Sequence, residues 1–234
     1  MCGRFTRTTA PARFAEIAGA VLRDHLAPSY NIAPTQKALV VREHPESGER
    51  EMVALRWGLI PHWANDAKFG ARTINARTDT VATKPAFRDA FKRHRCLVAT
   101  DGWYEWRVAG KSKIPTYIRH VDAHGEPEPV FFGGLWSHWY DPAVEDAHAL
   151  ETFTVLTREA SPALAHVHDR MPFVIAPAAW DAWLDRRLTD RTKVEALLEA
   201  ALLERYLAYP VSTYVNSPRN DGEKCVEEVR EQLS

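Results

Sequence analysis

From residue 37 to residue 176 the chain is dominated by short runs of β-branched and aromatic residues cut by glycine and proline: KALVVRE, EMVALRW, RCLVAT, IPTYIRHV, PVFFGGLW, ETFTVLT and MPFVIA. Runs of this length and composition suit strands, because branched and aromatic side chains pack well on a pleated surface and lose freedom against a helical turn. KALVVRE and EMVALRW flank the turn-rich HPESGE, which predicts a hairpin. Helical patterns lie around this region: residues 10–22, residues 84–94 with Phe87 and Phe91 one turn apart, a short turn within SPALAHVHD, residues 177–187 and residues 192–207. VSTYV, residues 211–215, then closes the sheet. The expected fold is α+β: a mixed, largely antiparallel β core flanked by helices.

The chain has 234 residues, 45% of them hydrophobic, enough for one substantial core, and we expect a single domain over residues 1–234. DAHGEPEP and YDPAVEDAHAL read as surface loops rather than linkers. The formal charge of −1 excludes a global polycation, so any affinity for nucleic acid must come from a local patch. Cysteines at 2, 96 and 225 are odd in number and widely spaced, matching neither a disulfide framework nor paired zinc ligands. With no secretory signal and no membrane-length apolar run, the expected location is the cytoplasm.

Four stretches place polar residues where polarity is costly: MCGRF at the start, INARTDT with Asn75 and Arg77, DGWYEW with Glu105 among aromatics, and HDRMP with His168 and Arg170. Each has an ordinary reading as a frayed terminus, a turn and surface pair, the solvent face of a strand, or a helix-terminal cap. Together, Cys, Asn, Glu and His supply a nucleophile, an orienting amide and an acid/base pair. Burial among Trp103, Tyr104 and Trp106 would raise the pKa of Glu105 toward neutrality.

Cys2 is the most unusual position, because loss of Met1 would leave a thiol and an α-amine on one residue. An α-amine has a pKa of about 7.7–8.0, against about 10.4 for lysine, so much of it is nucleophilic near neutrality. Its attack on an aldehyde gives a Schiff base, and addition of the thiol to the same carbon closes a five-membered thiazolidine.

MCGRF, YNIAPTQ, RWGLIPHWA, INARTDT, DGWYEW, HDRMP and VNSPRNDGEKC, in that order over nearly the whole chain, closely resemble the SOS response-associated peptidase (SRAP) family. The resemblance implies a sensor of abasic sites in single-stranded DNA that forms a covalent DNA–protein crosslink through its N-terminal cysteine. By the same resemblance Cys2 is the nucleophile, Asn75 holds the cysteine and the opened sugar, Glu105 accepts the proton released in amine attack, and His168 is the acid that opens the sugar ring. Arg4, Arg77 and Arg170 accompany these motifs and are candidates for gripping phosphates. Trp63 and Trp106 are candidates for stacking on bases, with core packing the alternative for each.

Two other functions fit parts of the pattern. Amidotransferases of the N-terminal nucleophile type also begin Met-Cys-Gly and use a freed Cys2, though this chain lacks a synthase domain. A non-covalent single-strand binding module would leave Cys2 incidental. His166 and His168 form too sparse a set for a metal. We expect no cofactor, no membrane partner and a monomer acting on abasic single-stranded DNA.

Overall fold

The computed structural model describes residues 2–200 and 202–229. Its strands are β1 (Phe5–Arg7), β2 (Val21–Leu22), β3 (Ser29–Ile32), β4 (Lys37–Glu43), β5 (Arg50–Trp57), β6 (Asn75–Arg77), β7 (Arg95–Thr100), β8 (Gly102–Ala109), β9 (Ser112–His120), β10 (Val130–Trp139), β11 (Leu150–Glu159), β12 (Arg170–Pro172) and β13 (Tyr206–Pro210). The α-helices are α1 (Pro11–Ala18), α2 (Arg88–Arg93), α3 (Trp180–Leu184) and α4 (Arg191–Ala200).

The strands form two sheets, mostly antiparallel, and the fold is α+β as expected. One sheet runs β13-β9-β8-β1-β3. The other runs β12-β11-β10-β7-β4-β5-β2, with β6 added in parallel beside β11. The predicted β4–β5 hairpin is present, with Val40 opposite Val53. In addition β11 pairs in parallel with β5, placing Phe153 opposite Trp57, so β5, β4, β7, β10 and β11 close a ring of pairings.

The unbroken apolar runs follow from this layering. In β4, Leu39 and Val41 join α1, α2, α3 and α4 in one core through Phe14, Phe91, Trp183 and Val194. Ala38 and Val40 face the other sheet, packing with Phe5, Trp103 and Ile118. A strand buried on both faces cannot alternate apolar with polar residues. Each large apolar side chain removed from water contributes about 1.5–3 kcal/mol, so the double layer is the main source of stability. The core between the sheets includes Cys2 itself.

Five expectations differ from the observed elements. The first helix stops at Ala18, because Gly19 turns left-handed (φ 60°) and its N–H closes onto Ala15 and Glu16. Val21–Leu22 then pair with Glu51–Met52. The helix expected over residues 192–207 ends earlier: Tyr206–Pro210 form an edge strand on β9, with Tyr206 edge-on to Trp103, so tertiary pairing overrides helical propensity there. VSTYV is not a strand; Thr213–Asn216 form a 3-10 turn whose Tyr214 N–H is capped by the Ser212 hydroxyl. Within residues 84–94 only Arg88–Arg93 are α-helical, and residues 162–167 form turns rather than helix.

Candidate active site

Three elements converge on the chain's beginning. β1 pairs with β8, Phe5 opposite Trp103, and the Tyr104 N–H donates to the Arg4 carbonyl, which draws Cys2 alongside the middle of β8. Glu105 follows directly on β8 and is only 2% exposed. From the other sheet, β6 lies along β11 with Asn75 opposite Val155, and the Asn75 amide donates to the Cys2 carbonyl at 2.7 Å. His168 sits just before β12, its Nε2 3.9 Å from Glu105 Oε2. The structure therefore assembles Cys2, Asn75, Glu105 and His168, four residues spread over 167 positions of sequence, into one cluster.

Burial shifts the titration of each ionisable group in this cluster. Burial pushes the Glu105 carboxyl up to about 7, because its charged form is deprived of water. Burial, and then the neighbouring Glu105, push the Cys2 thiol well above its ordinary value. Burial lowers His168, with Asp169 opposing that shift. With Met1 attached the Cys2 nitrogen is an amide whose lone pair is delocalised, so its chemistry as an amine requires cleavage of that bond. The Asn75 Oδ1 is buried and has no hydrogen-bond partner among the described residues, leaving an acceptor at the cluster.

The arginines divide in their roles. Arg77 is half exposed and ion-paired with Asp79 at 2.6 Å, a contact that an incoming phosphate can exchange. Arg170 is buried and donates to the Thr157 carbonyl and hydroxyl. Arg4 does not project as a free phosphate fork: it donates to Asn31 Oδ1 at 2.8 Å, the Val215 carbonyl at 2.9 Å and the Asn216 carbonyl at 3.2 Å.

The tryptophans also separate. Trp106 alternates with Glu105 along β8, its indole N–H donating to Asn216 Oδ1 with the Arg4 guanidinium 6.0 Å from the ring. Trp63 is 45% exposed, edge-on to Phe69, and lines a different cavity of about 170 Å³ with Pro61, His62, His94 and His138.

Sequence reasoning gave no role to Asn31, which the structure makes a hub. Its amide donates to the carbonyls of Val215, Ser217 and Asn220, while its oxygen accepts from Arg4. Asp221 completes the clamp by accepting from the Tyr30 N–H and the Ser29 hydroxyl. The segment containing VNSPRND is thus fastened to Arg4, which leads into β1, and to β3, which pairs with β1. An asparagine inside the otherwise apolar YNIA was the available signal. Among the described residues no group of three or more His, Cys, Asp or Glu could hold a metal ion, and no helix is long and apolar enough to cross a membrane.

A two-sheet α+β scaffold thus gathers an amide, a carboxylate and an imidazole around the second residue. The chain belongs to the family described as SOS response associated peptidase (SRAP), whose profile matches residues 1–218. It is 34% identical over 235 residues to the abasic site processing protein YoqW of Bacillus subtilis (strain 168), covering 97% of this chain and 99% of that one. It is 32% identical over 227 residues to the abasic site processing protein HMCES of Xenopus tropicalis, covering 87% of this chain and 67% of that one. Among solved structures, a protein from Bacteroides thetaiotaomicron shares the fold with a TM-score of 0.83 at 24% identity, covering 98% of this chain and all (100%) of that one.

Proposed function

We propose that this chain processes abasic sites in DNA, capturing the lesion in single strands as a thiazolidine crosslink on Cys2, with residues 1–234 acting as one unit and as a monomer. The observation that carries the reading is the convergence of Asn75, Glu105 and His168 on Cys2, with the Asn75 amide 2.7 Å from the Cys2 carbonyl. The names of the relatives supply the substrate class.

Release of Met1, by the chain's own peptidase activity or by an aminopeptidase, frees the Cys2 amine. An abasic deoxyribose rests mainly as a closed hemiacetal. His168 gives a proton to the ring oxygen as the C1′–O4′ bond breaks, and the 1′-hydroxyl proton leaves to solvent, yielding the aldehyde. The amine attacks C1′, and Glu105, ionised at and above about pH 7, takes the proton the nitrogen sheds. Loss of water gives the imine. The thiol then adds its sulfur to C1′ and its proton to nitrogen, so the net change is condensation of one aldehyde with one aminothiol and release of one water. Asn75 holds the Cys2 carbonyl and offers its free oxygen to a sugar hydroxyl. Arg77 exchanges Asp79 for a backbone phosphate, and Trp106 borders the strand's path.

Denaturing electrophoresis with an abasic single-stranded oligonucleotide tests this reading. The expected result is a heat-stable adduct for the wild type and, for Cys2→Ser or Cys2→Ala, an adduct that appears only after borohydride trapping. Release of glutamate from glutamine without any adduct would favour an amidotransferase instead. Binding that never survives denaturant would favour a non-covalent module.

A further inference from the structure

His168 Nδ1 has two neighbours that call for different protonation states. It lies 3.0 Å from the Arg170 backbone N–H and 2.7 Å from Asp169 Oδ1. The amide can only donate to a bare Nδ1, whereas the carboxylate can only accept from a protonated one, so the two contacts belong to different protonation states. With the amide engaged, a neutral imidazole carries its proton on Nε2, the nitrogen facing Glu105. With the carboxylate engaged, Nδ1–H is held and proton exchange falls to Nε2.

We propose that Asp169 is a positioning residue which, in competition with the Arg170 amide, sets the tautomer of His168 and holds Nδ1–H in place while Nε2 exchanges a proton with the substrate. The proposal rests on the role given above to His168 and adds its partner. In the donating cycle the imidazolium is bound through Nδ1–H to Asp169. Nε2–H goes to the deoxyribose ring oxygen as the C1′–O4′ bond breaks, and the neutral Nδ1–H tautomer remains on Asp169. A proton from solvent restores the imidazolium. Asp169 itself transfers nothing.

The charged groups around His168 fit this division. Glu105 faces it from β8 and Arg170 from β12. Arg77, on β6, acts in turn on Asp169. Asp169 is the acidic group within hydrogen-bonding distance of Nδ1 among the described residues, and its side chain is 85% exposed, so replacing it leaves the core untouched.

The test combines ¹⁵N NMR of the imidazole with kinetics on the full chain. The His168 resonances are assigned by their loss in His168→Gln. In Asp169→Asn the His168 pKa should fall by about half a unit, the scale of a solvent-screened pair, with Nε2–H becoming the dominant neutral tautomer. Crosslinking to the closed-ring lesion should slow by about fivefold, while reaction with a simple aldehyde changes less than about twofold. Asp169→Glu should recover much of the loss, and high salt should shrink the difference between wild type and Asp169→Asn. An unchanged His168 pKa and tautomer in Asp169→Asn would overturn the proposal. If the NMR shift occurs but the wild type forms no adduct with abasic DNA, the tautomer assignment stands and the proposed function falls.

Discussion

The Asn75 side-chain amide and the Cys2 carbonyl, 73 positions apart in sequence, meet at 2.7 Å and tie the short strand β6 to the residue on which the proposed chemistry turns. A donor placed on that carbonyl fixes where the freed amine and thiol point. Replacing Asn75 by Asp puts an acceptor against an acceptor, whereas Ala only deletes the contact. Crosslinking should therefore fall by about tenfold in Asn75→Ala and further in Asn75→Asp, with the fold destabilised by only about 1 kcal/mol in the Ala variant. Single-turnover rates and thermal melts of the two variants check this ordering; equal rates for wild type and Asn75→Asp would remove the role.

Glu105 makes both stability and activity depend on pH. Its folded pKa of about 7 lies above the unfolded carboxylate value of 4.5, so the folded state keeps a proton that the unfolded state has lost. Stability from this group is complete below the unfolded value and declines as pH rises toward 7. Glu105→Gln should flatten that decline and be more stable than wild type at pH 8 by up to about 3 kcal/mol, since each pKa unit corresponds to about 1.4 kcal/mol. The same variant should lose the rise in crosslinking rate through pH 7. Denaturant melts at pH 5 and pH 8 read the first effect and a pH–rate profile the second.

Arg77 and Arg4 should separate in salt titrations. If Arg77 exchanges Asp79 for one phosphate, Arg77→Ala should reduce the log–log salt dependence of single-strand binding by roughly 0.7. Arg4 is committed to Asn31, Val215 and Asn216, so Arg4→Ala should leave that slope unchanged and destabilise the protein by about 2 kcal/mol. A flattened slope for Arg4→Ala would return it to the DNA-contacting surface.

His168 and Glu105 have different steps and should fail on different substrates. His168→Ala should slow reaction with the closed-ring lesion far more than with a small aldehyde that needs no opening. Glu105→Ala should slow both, because amine attack is common to them. Time courses of each variant on both substrates decide this, and equal losses for His168→Ala would remove its ring-opening role.

Much of the fold was legible because both faces of the central strands are buried. A run such as RCLVAT needs no partner's identity to be read as β7, and DGWYEW marked a carboxylate among aromatics that the structure buries. The ends of elements were less legible. Gly19 halts α1 through a left-handed turn, and the residues of β13 carry helical propensity that pairing with β9 overrides. The site's residue types were visible in their motifs, but their meeting was not. It depends on β6, three residues long, lying in parallel against β11, a contact between segments some 80 positions apart that no local pattern encodes. For the same reason Arg4 read as a phosphate ligand: its acceptors lie more than 200 positions away at Val215 and Asn216.

The central claim is that a freed Cys2 condenses with the aldehyde of an abasic site. Intact-mass measurement of the purified protein, before and after incubation with a single-stranded oligonucleotide carrying one abasic site, tests it most directly. The expected result is a chain beginning at Cys2, then a product weighing protein plus oligonucleotide minus one water that withstands heat without reductant. A chain retaining Met1 that still gives that product, or a freed Cys2 that gives no covalent product, would contradict it.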